Sequence, residues 1–379
     1  MLVMNSYEQL KLDVITRVSS KKLCLKEAAL ILNRSPRTIE RYLSRYQKIG
    51  SRFVKHFNSM KTPPNKTSPE LEQQVKQLIR TKYFDFNILH LMEQLRVNEN
   101  IIVKRETLRK WSHQIHMIKR KKRRSPVARF KRQRMSQRGI LIQMDGSTHQ
   151  WFGNQKSCLI SAIDDATSEI LWAEFFHSED IISCMSVLKK VIELHGVFKV
   201  LYVDHAGLYG GPKRVEFAQV KRAMEELGVN IIFANSAQAK GRIERSFNTL
   251  QDRLIPEMRL RGITTFKGAN DYLQNHFVPE YWNKKLVVQA ENSESYFKPL
   301  PENYPLEDIM CIKEYRKINL DHTFSYKSEF YLIERQFSYS LARQQIEIRI
   351  GLDLKVRFFY GMTEITAKRI APLSAATAA

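Results

Sequence analysis

From residue 139 onward, short apolar runs alternate with amphipathic stretches, and this alternation leaves the chain few folds to choose from. Segments 140–144, 157–163 and 169–176 have strand length, and the last two flank the turn sequence Asp164-Asp165-Ala166-Thr167-Ser168, a hairpin signal. An amphipathic helix over 181–194 leads through Gly196 to the apolar run Val200-Leu201-Tyr202-Val203. A helix near 215–227, a strand over 229–234 and a helix from about 239 complete the unit. Three successive strands followed by alternating helices and strands predict a mixed five-stranded α/β sheet with right-handed crossovers, covered by helices.

The chain has 379 residues, too many for one ordinary core, so further units are expected on either side. Upstream, the segment 25–32 has helical periodicity and breaks at Asn33-Arg34-Ser35, after which Ser35 suits an N-cap and Pro36 the first helical position. Ile39, Leu43 and Tyr46 share one face of that second helix and leave Arg37, Arg41, Arg45 and Lys48 outside, a helix-turn-helix pattern. Helical segments over 71–79, 86–95 and 104–111 suggest a second such module, with Lys104, Arg105 and Arg109 as its exposed cations. The expected organisation is therefore multidomain. Two all-α modules (1–57 and 70–118) are joined by a Pro-containing linker (58–69), and a basic linker (119–138) leads to the α/β unit (139–285). A second linker (286–308), a small β-barrel or sheet (309–372) and a disordered tail (373–379) follow.

Charge narrows the partner. Lys and Arg number 62 against 39 Asp and Glu, a formal net charge of +23, which predicts a positive potential over much of the surface and a polyanionic partner. Eleven Lys or Arg and no acid lie between Lys119 and Arg138, and Lys121, Arg123 and Arg124 belong to the densest run. Such a block stays extended until an anion screens it, as a solvated linker or a DNA-tracking arm would. No stretch approaches the roughly 20 apolar residues of a spanning helix, and no signal peptide is evident, so a cytoplasmic, nucleoid-associated protein is expected. Cys24, Cys158, Cys184 and Cys311 lack zinc or disulfide spacing.

Acids at strand ends are the candidate chemistry. Asp145 follows 140–144 and Asp204 follows 200–203, so both should sit at the carboxyl edge of the sheet, where open α/β sheets build their sites. In the last helix Ile243, Phe247, Leu250 and Leu254 recur at helical intervals, and Glu244 lies beside that apolar stripe with Asn248 and Gln251 on its flank. Three carboxylates from separate elements could make the hard oxygen cage that phosphodiester cleavage with two Mg²⁺ or Mn²⁺ ions needs.

These residues carry a specific resemblance. Gln143-Met144-Asp145-Gly146-Ser147 with His149 and Trp151-Phe152, Ala162-Ile163-Asp164-Asp165-Ala166-Thr167-Ser168, Tyr202-Val203-Asp204, and Gln238-Ala239-Lys240-Gly241-Arg242-Ile243-Glu244-Arg245 resemble the integrase-type core of bacterial insertion-sequence DDE transposases. The spacings of 59 residues (204 − 145) and 40 residues (244 − 204) suit that pattern. The resemblance covers about residues 139–285. It implies an RNase H-like core in which Asp145, Asp204 and Glu244 are the catalytic and metal-binding acids for two Mg²⁺ or Mn²⁺ ions. It also implies binding of terminal inverted repeats, strand hydrolysis at the element end and transfer of the 3′-hydroxyl to target DNA, by a homo-oligomer on double-stranded DNA. Lys240, Arg242 and Arg245 are then DNA-contact candidates. Where many relatives carry Lys or Arg seven residues after the glutamate this chain has Gln251, with Arg253 or Lys240 as substitutes.

Other pairs have simpler readings. Asp164-Asp165 sits in the hairpin and reads as turn chemistry. Ser147 and His149 have no third orienting group, which disfavours a nucleophilic serine. His149 and His205 flank the first two acids as packing or supporting groups, because Mg²⁺ prefers oxygen. A non-catalytic DNA-binding regulator derived from a transposase, or a plain RNase H-like nuclease, are the rival functions.

Overall fold

The structure is a computed structural model that describes residues 4–56, 67–117, 132–204, 213–234 and 241–370, with the side chains of 204 and 213–217 excepted. Two compact units divide the chain, Met1–Gln77 and Leu78–Ala379.

In the first unit α1 (Ser6–Ser19), α2 (Leu25–Ile31) and α3 (Pro36–Ile49) are followed by a 3₁₀ turn, Gly50–Val54. The N-terminus of α1 is closed by a reciprocal pair: Glu8 N donates to Asn5 Oδ1 at 2.8 Å and Asn5 N to Glu8 Oε2 at 2.9 Å. Cys24 and Glu27 do the same for α2. Ser35 and Pro36 start α3 where the sequence places the start, although the Ser35 hydroxyl bonds Thr38 Oγ1 rather than a backbone amide. Val14, Ile15, Ala28, Leu32, Ile39 and Phe53 form the small core.

The division falls inside α4 (Pro69–Thr81). Beyond it, α5 (Ile88–Asn98) and α6 (Arg105–Gln114) lie in the same compact unit as the sheet. The basic linker also differs from expectation. Residues 118–131, with Lys121, Arg123 and Arg124, lie outside the described residues, but Arg132, Arg134 and Arg138 are pinned to the sheet. The two-residue strand β1 (Gln137–Arg138) follows.

The central sheet contains β2 (Leu141–His149), β3 (Ser157–Asp164), β4 (Ile170–Phe176), β5 (Val200–Asp204) and β6 (Asn230–Ala234) in the order β4-β3-β2-β5-β6. Strands β2, β3 and β4 pair antiparallel, while β2–β5 and β5–β6 pair parallel, so the sheet is mixed and five-stranded as expected. Helices α7 (Ile181–His195) and α8 (Lys213–Glu226) make the crossovers. One face buries Ile142, Met144, Ile160, Leu188 and Leu201 beneath them. The other buries Leu159, Ile163 and Phe175 under α9 (Gly241–Leu260), α10 (Phe266–Tyr272), a π-helical stretch Leu273–Trp282 and the short α11 (Asn283–Lys285). In α9 it is Ile243, Phe247, Leu250 and Leu254 that are buried, the stripe read from the sequence.

Residues 286–308 do not form a free linker. Strand β7 (Asn292–Ser295) pairs parallel with β1, Val197 and Lys298 form a bridge, and Phe297, Leu300 and Leu306 join the core beneath α7. The short α12 (Leu306–Ile309) ends this strap. The C-terminal region takes the sheet alternative in the form of two antiparallel sheets: β9 (Thr323–Tyr326), β10 (Glu329–Ile333) and β14 (Ala367–Ile370) in one, and β8 (Ile312–Lys317), β11 (Gln345–Ile350), β12 (Val356–Tyr360) and β13 (Thr363–Ile365) in the other. Phe324, Ile346 and Ile348 fill the space they share. The expected tail lies outside the described residues.

Candidate active site

Strands β2 and β5 run parallel with Leu141 beside Val200 and Gln143 beside Tyr202. Two more residues of the same register bring position 204 level with Asp145, and since side chains alternate with period two, 141, 143 and 145 share a face with 200, 202 and 204. This is the face that α9 covers. Arg242 Nη1 reaches Asp165 Oδ1 at 2.7 Å from the first turn of the helix, and Gln251 Nε2 reaches Ser147 Oγ at 3.2 Å two turns further on. Asp165 is bound to Gln143, so the helix descends the strand from the level of Gln143 toward that of Ser147. Glu244 lies on the helix between those anchors, exposed, with Asn248 also exposed. The structure thus brings together the elements that carry the three predicted acids. Among the described residues no three His, Cys, Asp or Glu gather as a metal site, and the Asp204 side chain falls outside that description.

The neighbourhood of Asp145 is rich in oxygen. Ser161 stands directly across from it in the β2–β3 ladder, and both Ser161 Oγ and Gln143 Oε1 are buried without a partner among the described residues. Such a donor set suits a hard cation better than a thiol or imidazole site does. On the opposite face Gly146 has Glu179 against it: a Cβ there would lie 2.4 Å from Glu179 Oε2. Burial first, then the negative charges of Glu179 and Asp145, push the Cys158 thiol up to about 11.

The predicted DNA contacts fare unevenly. Arg37, Arg41 and Arg45 are exposed along α3. Lys104 and Arg105 are exposed at the start of α6, and Arg109 is exposed but held bidentately by Glu106, at 2.9 and 2.6 Å. Arg245 is exposed with its Nε on Gly241 O at 2.6 Å. Lys240 and His205 lie outside the described residues. Arg242 and Arg253 are both engaged in ion pairs. Arg242 is largely buried against Asp165, and burial, then the neighbouring Arg132 and Arg134, depress its pKa against the pull of Asp165. Arg253 is buried, 2.8 Å from Glu93 and over the ring of Tyr281.

Neither member of Asp164-Asp165 is a surface turn acid; both are fully buried. Asp164 accepts from the backbone amides of Gly139 and Thr167 and from the Thr167 hydroxyl, which is turn chemistry. Burial raises its pKa. Asp165 instead collects Gln143, Arg132, Arg242 and the amide of Met135. Nothing local in the sequence distinguishes it from Asp164; the surplus of arginine on either side of the core was the available signal. His149 packs edge-on to Trp151, whose indole N–H bonds Ser147 O at 2.8 Å, in keeping with a packing role.

No family model matches the chain. It is similar to a Sinorhizobium fredii protein named as transposase y4bF, 29% identical over 350 residues that cover 88% of this chain and 74% of the relative. It is also similar to the transposase of insertion sequence IS1202 from Streptococcus pneumoniae, 27% identical over 372 residues, 87% of this chain and 78% of the relative. Among solved structures, a simian T-cell lymphotropic virus intasome in complex with a PP2A regulatory subunit aligns over 79% of this chain and all of that one, with 14% identity and a TM-score of 0.35. The HTLV-2 integrase catalytic core domain in complex with magnesium covers 35% of this chain and 81% of that one, with 15% identity and a TM-score of 0.28. The resemblance to bacterial insertion-sequence transposases is borne out, and it extends over most of the chain. Among the described residues, no helix is long and apolar enough to cross a membrane.

Proposed function

We propose that the chain is a DDE-type DNA transposase with an RNase H-like core, in which Asp145, Asp204 and Glu244 hold two Mg²⁺ or Mn²⁺ ions. The observation that carries this reading is the alignment of positions 145 and 204 on neighbouring parallel strands, on the face where α9 bears Glu244. The similarity to insertion-sequence transposases supports the same class. Bound divalent ions would supply Lewis-acid stabilisation of the attacking and leaving oxygens of a phosphodiester.

The residues divide the remaining work. Asp145 and position 204 lie on neighbouring strands of the sheet, and Glu244 would supply the third carboxylate from a helix packed on it. Arg37, Arg41 and Arg45 on α3, and Lys104, Arg105 and Arg109 on α6, place cations where duplex phosphates or base edges can meet them, as helix-turn-helix modules do. Arg245, exposed one residue beyond Glu244, is a further candidate for a phosphate contact. A 3′-hydroxyl freed at the element end then attacks target DNA in the same site, without a covalent protein–DNA intermediate. Pairing of two element ends calls for a homo-oligomer.

Glu244→Gln tests the assignment: it retains binding to end-containing duplex and loses Mg²⁺-dependent nicking. A variant that still nicks such DNA at the parental rate removes Glu244 from the site.

A further inference from the structure

Asp165 stands at the hairpin between β3 and β4, fully buried, yet its bonds leave the hairpin. Gln143 Nε2 donates to Oδ1 at 2.6 Å, Arg242 Nη1 at 2.7 Å, and Arg132 closes on the same oxygen, while Met135 N donates to Oδ2 at 3.0 Å. Arg132 also spans to the ring of Tyr202, 5.6 Å from its centroid, and its carbonyl accepts from Arg242 Nη2 at 2.6 Å.

These partners have a common relation to the proposed acids. Gln143 is two residues before Asp145 on β2, Tyr202 two before Asp204 on β5, and Arg242 two before Glu244 in the first turn of α9. Building on the function proposed above, we infer that Asp165 is a positioning residue: one buried carboxylate fixes the relative placement of the three elements that present the catalytic acids.

The physics follows from its charge. Two guanidiniums converge on Asp165, and without it they repel each other at the start of α9, whose N-terminal dipole is positive as well. That turn then loses the tie to the sheet made by Arg242 and Asp165, and Arg242 is released to pair with a catalytic carboxylate. A purely local turn role is already filled by Asp164, which holds the amides of Gly139 and Thr167. Hydrogen bonds that orient metal-binding groups typically affect metal affinity or activity by about 10–100-fold when removed.

Asp165→Asn keeps the shape and removes the charge. The full chain, titrated with Mn²⁺ and followed by electron paramagnetic resonance, is expected to bind the ion about 10–100-fold more weakly in this variant. Circular dichroism and end-DNA binding stay parental, and nicking recovers in part at raised Mn²⁺. Parental Mn²⁺ affinity in a folded Asp165→Asn protein overturns the inference. If that variant does not fold, Arg242→Gln takes its place, since it leaves Asp165 paired with Arg132; unchanged Mn²⁺ affinity there overturns the inference equally. Asp145→Asn separates the two levels. If it leaves both Mn²⁺ binding and nicking intact, the carboxylate assignment fails and the positioning role with it. If it abolishes both while Asp165→Asn binds Mn²⁺ normally, only the positioning role fails.

Discussion

His90 Nε2 lies 2.8 Å from Glu257 Oε1, a fully buried imidazole on α5 meeting a buried carboxylate near the end of α9. Around this contact the same two segments are stitched by Arg253 to Glu93 at 2.8 Å, Asn87 to Asp252 at 2.6 Å, and Arg259 to Asp85 at 2.8 and 2.6 Å. The helix proposed to carry Glu244 at one end therefore anchors residues 82–98 at the other. Tyr272 OH also donates to Glu257.

Removing the charge at that junction should cost stability in a pH-dependent way. Burial alone would raise the Glu257 pKa, but hydrogen bonds from His90 and Tyr272 outweigh it and hold the carboxyl below its ordinary 4.5. A depressed carboxylate contributes stability above that ordinary value, and the contribution fades as pH falls from about 4.5 through the lower folded value. Glu257→Gln is expected to lose about 1–3 kcal/mol at pH 7, measured by urea unfolding, with a shallower fall in stability on acidification than the parent shows. Parallel pH profiles for the two proteins would contradict the role given to Glu257.

The strap 286–308 should be sensitive at Gly196. Its φ is +98°, and a Cβ there would stand 2.5 Å from Lys298 O, a backbone atom that cannot swing away. With ψ at −176° the residue lies in a backbone region essentially restricted to glycine, and Gly196→Ala is expected to lower the unfolding free energy by about 1–3 kcal/mol from the backbone alone. A urea midpoint equal to the parent's would show that the strap is not seated on α7.

Thiol reactivity should follow burial. Cys158 and Cys311 are buried, with burial raising both pKa values, that of Cys158 to about 11, whereas Cys24 is exposed. At pH 8 a disulfide reagent is expected to modify Cys24 quickly and to leave Cys158 and Cys311 unmodified until urea unfolds the chain. Rapid modification of Cys158 in native conditions would place it outside the core described above.

Arginines that look equivalent in the sequence should separate in a salt titration. Arg41→Ala, at an exposed position on α3, is expected to weaken duplex binding and to reduce the slope of log affinity against log salt by about 1. Arg253→Ala removes a partner of Glu93 inside the core and should lower stability while leaving that slope unchanged. A changed slope for Arg253→Ala would restore it as a phosphate contact.

What the sequence determined by itself is local and periodic. Ser35-Pro36 announces the start of α3, the apolar runs announce five strands in a mixed sheet, and the intervals among Ile243, Phe247, Leu250 and Leu254 tell which side of α9 meets that sheet. The strand-end position of Asp204 was legible for the same reason, whereas Asp145 lies in the middle of β2 rather than at its end, because the ladder with β3 continues past it to His149. The tertiary structure alone decided the partners of the charges. Arg253 is a buried and Arg242 a half-buried ion-pair member although their residue type suggests surface cations, and Asp165 differs from Asp164 only through residues 22 to 77 positions away in sequence. It also decided that 286–308 packs on α7 and that residues from Leu78 onward share a compact unit with the sheet. A charge carries no periodicity that names its partner, and desolvation and pairing energies depend on distances that exist only after the chain has folded.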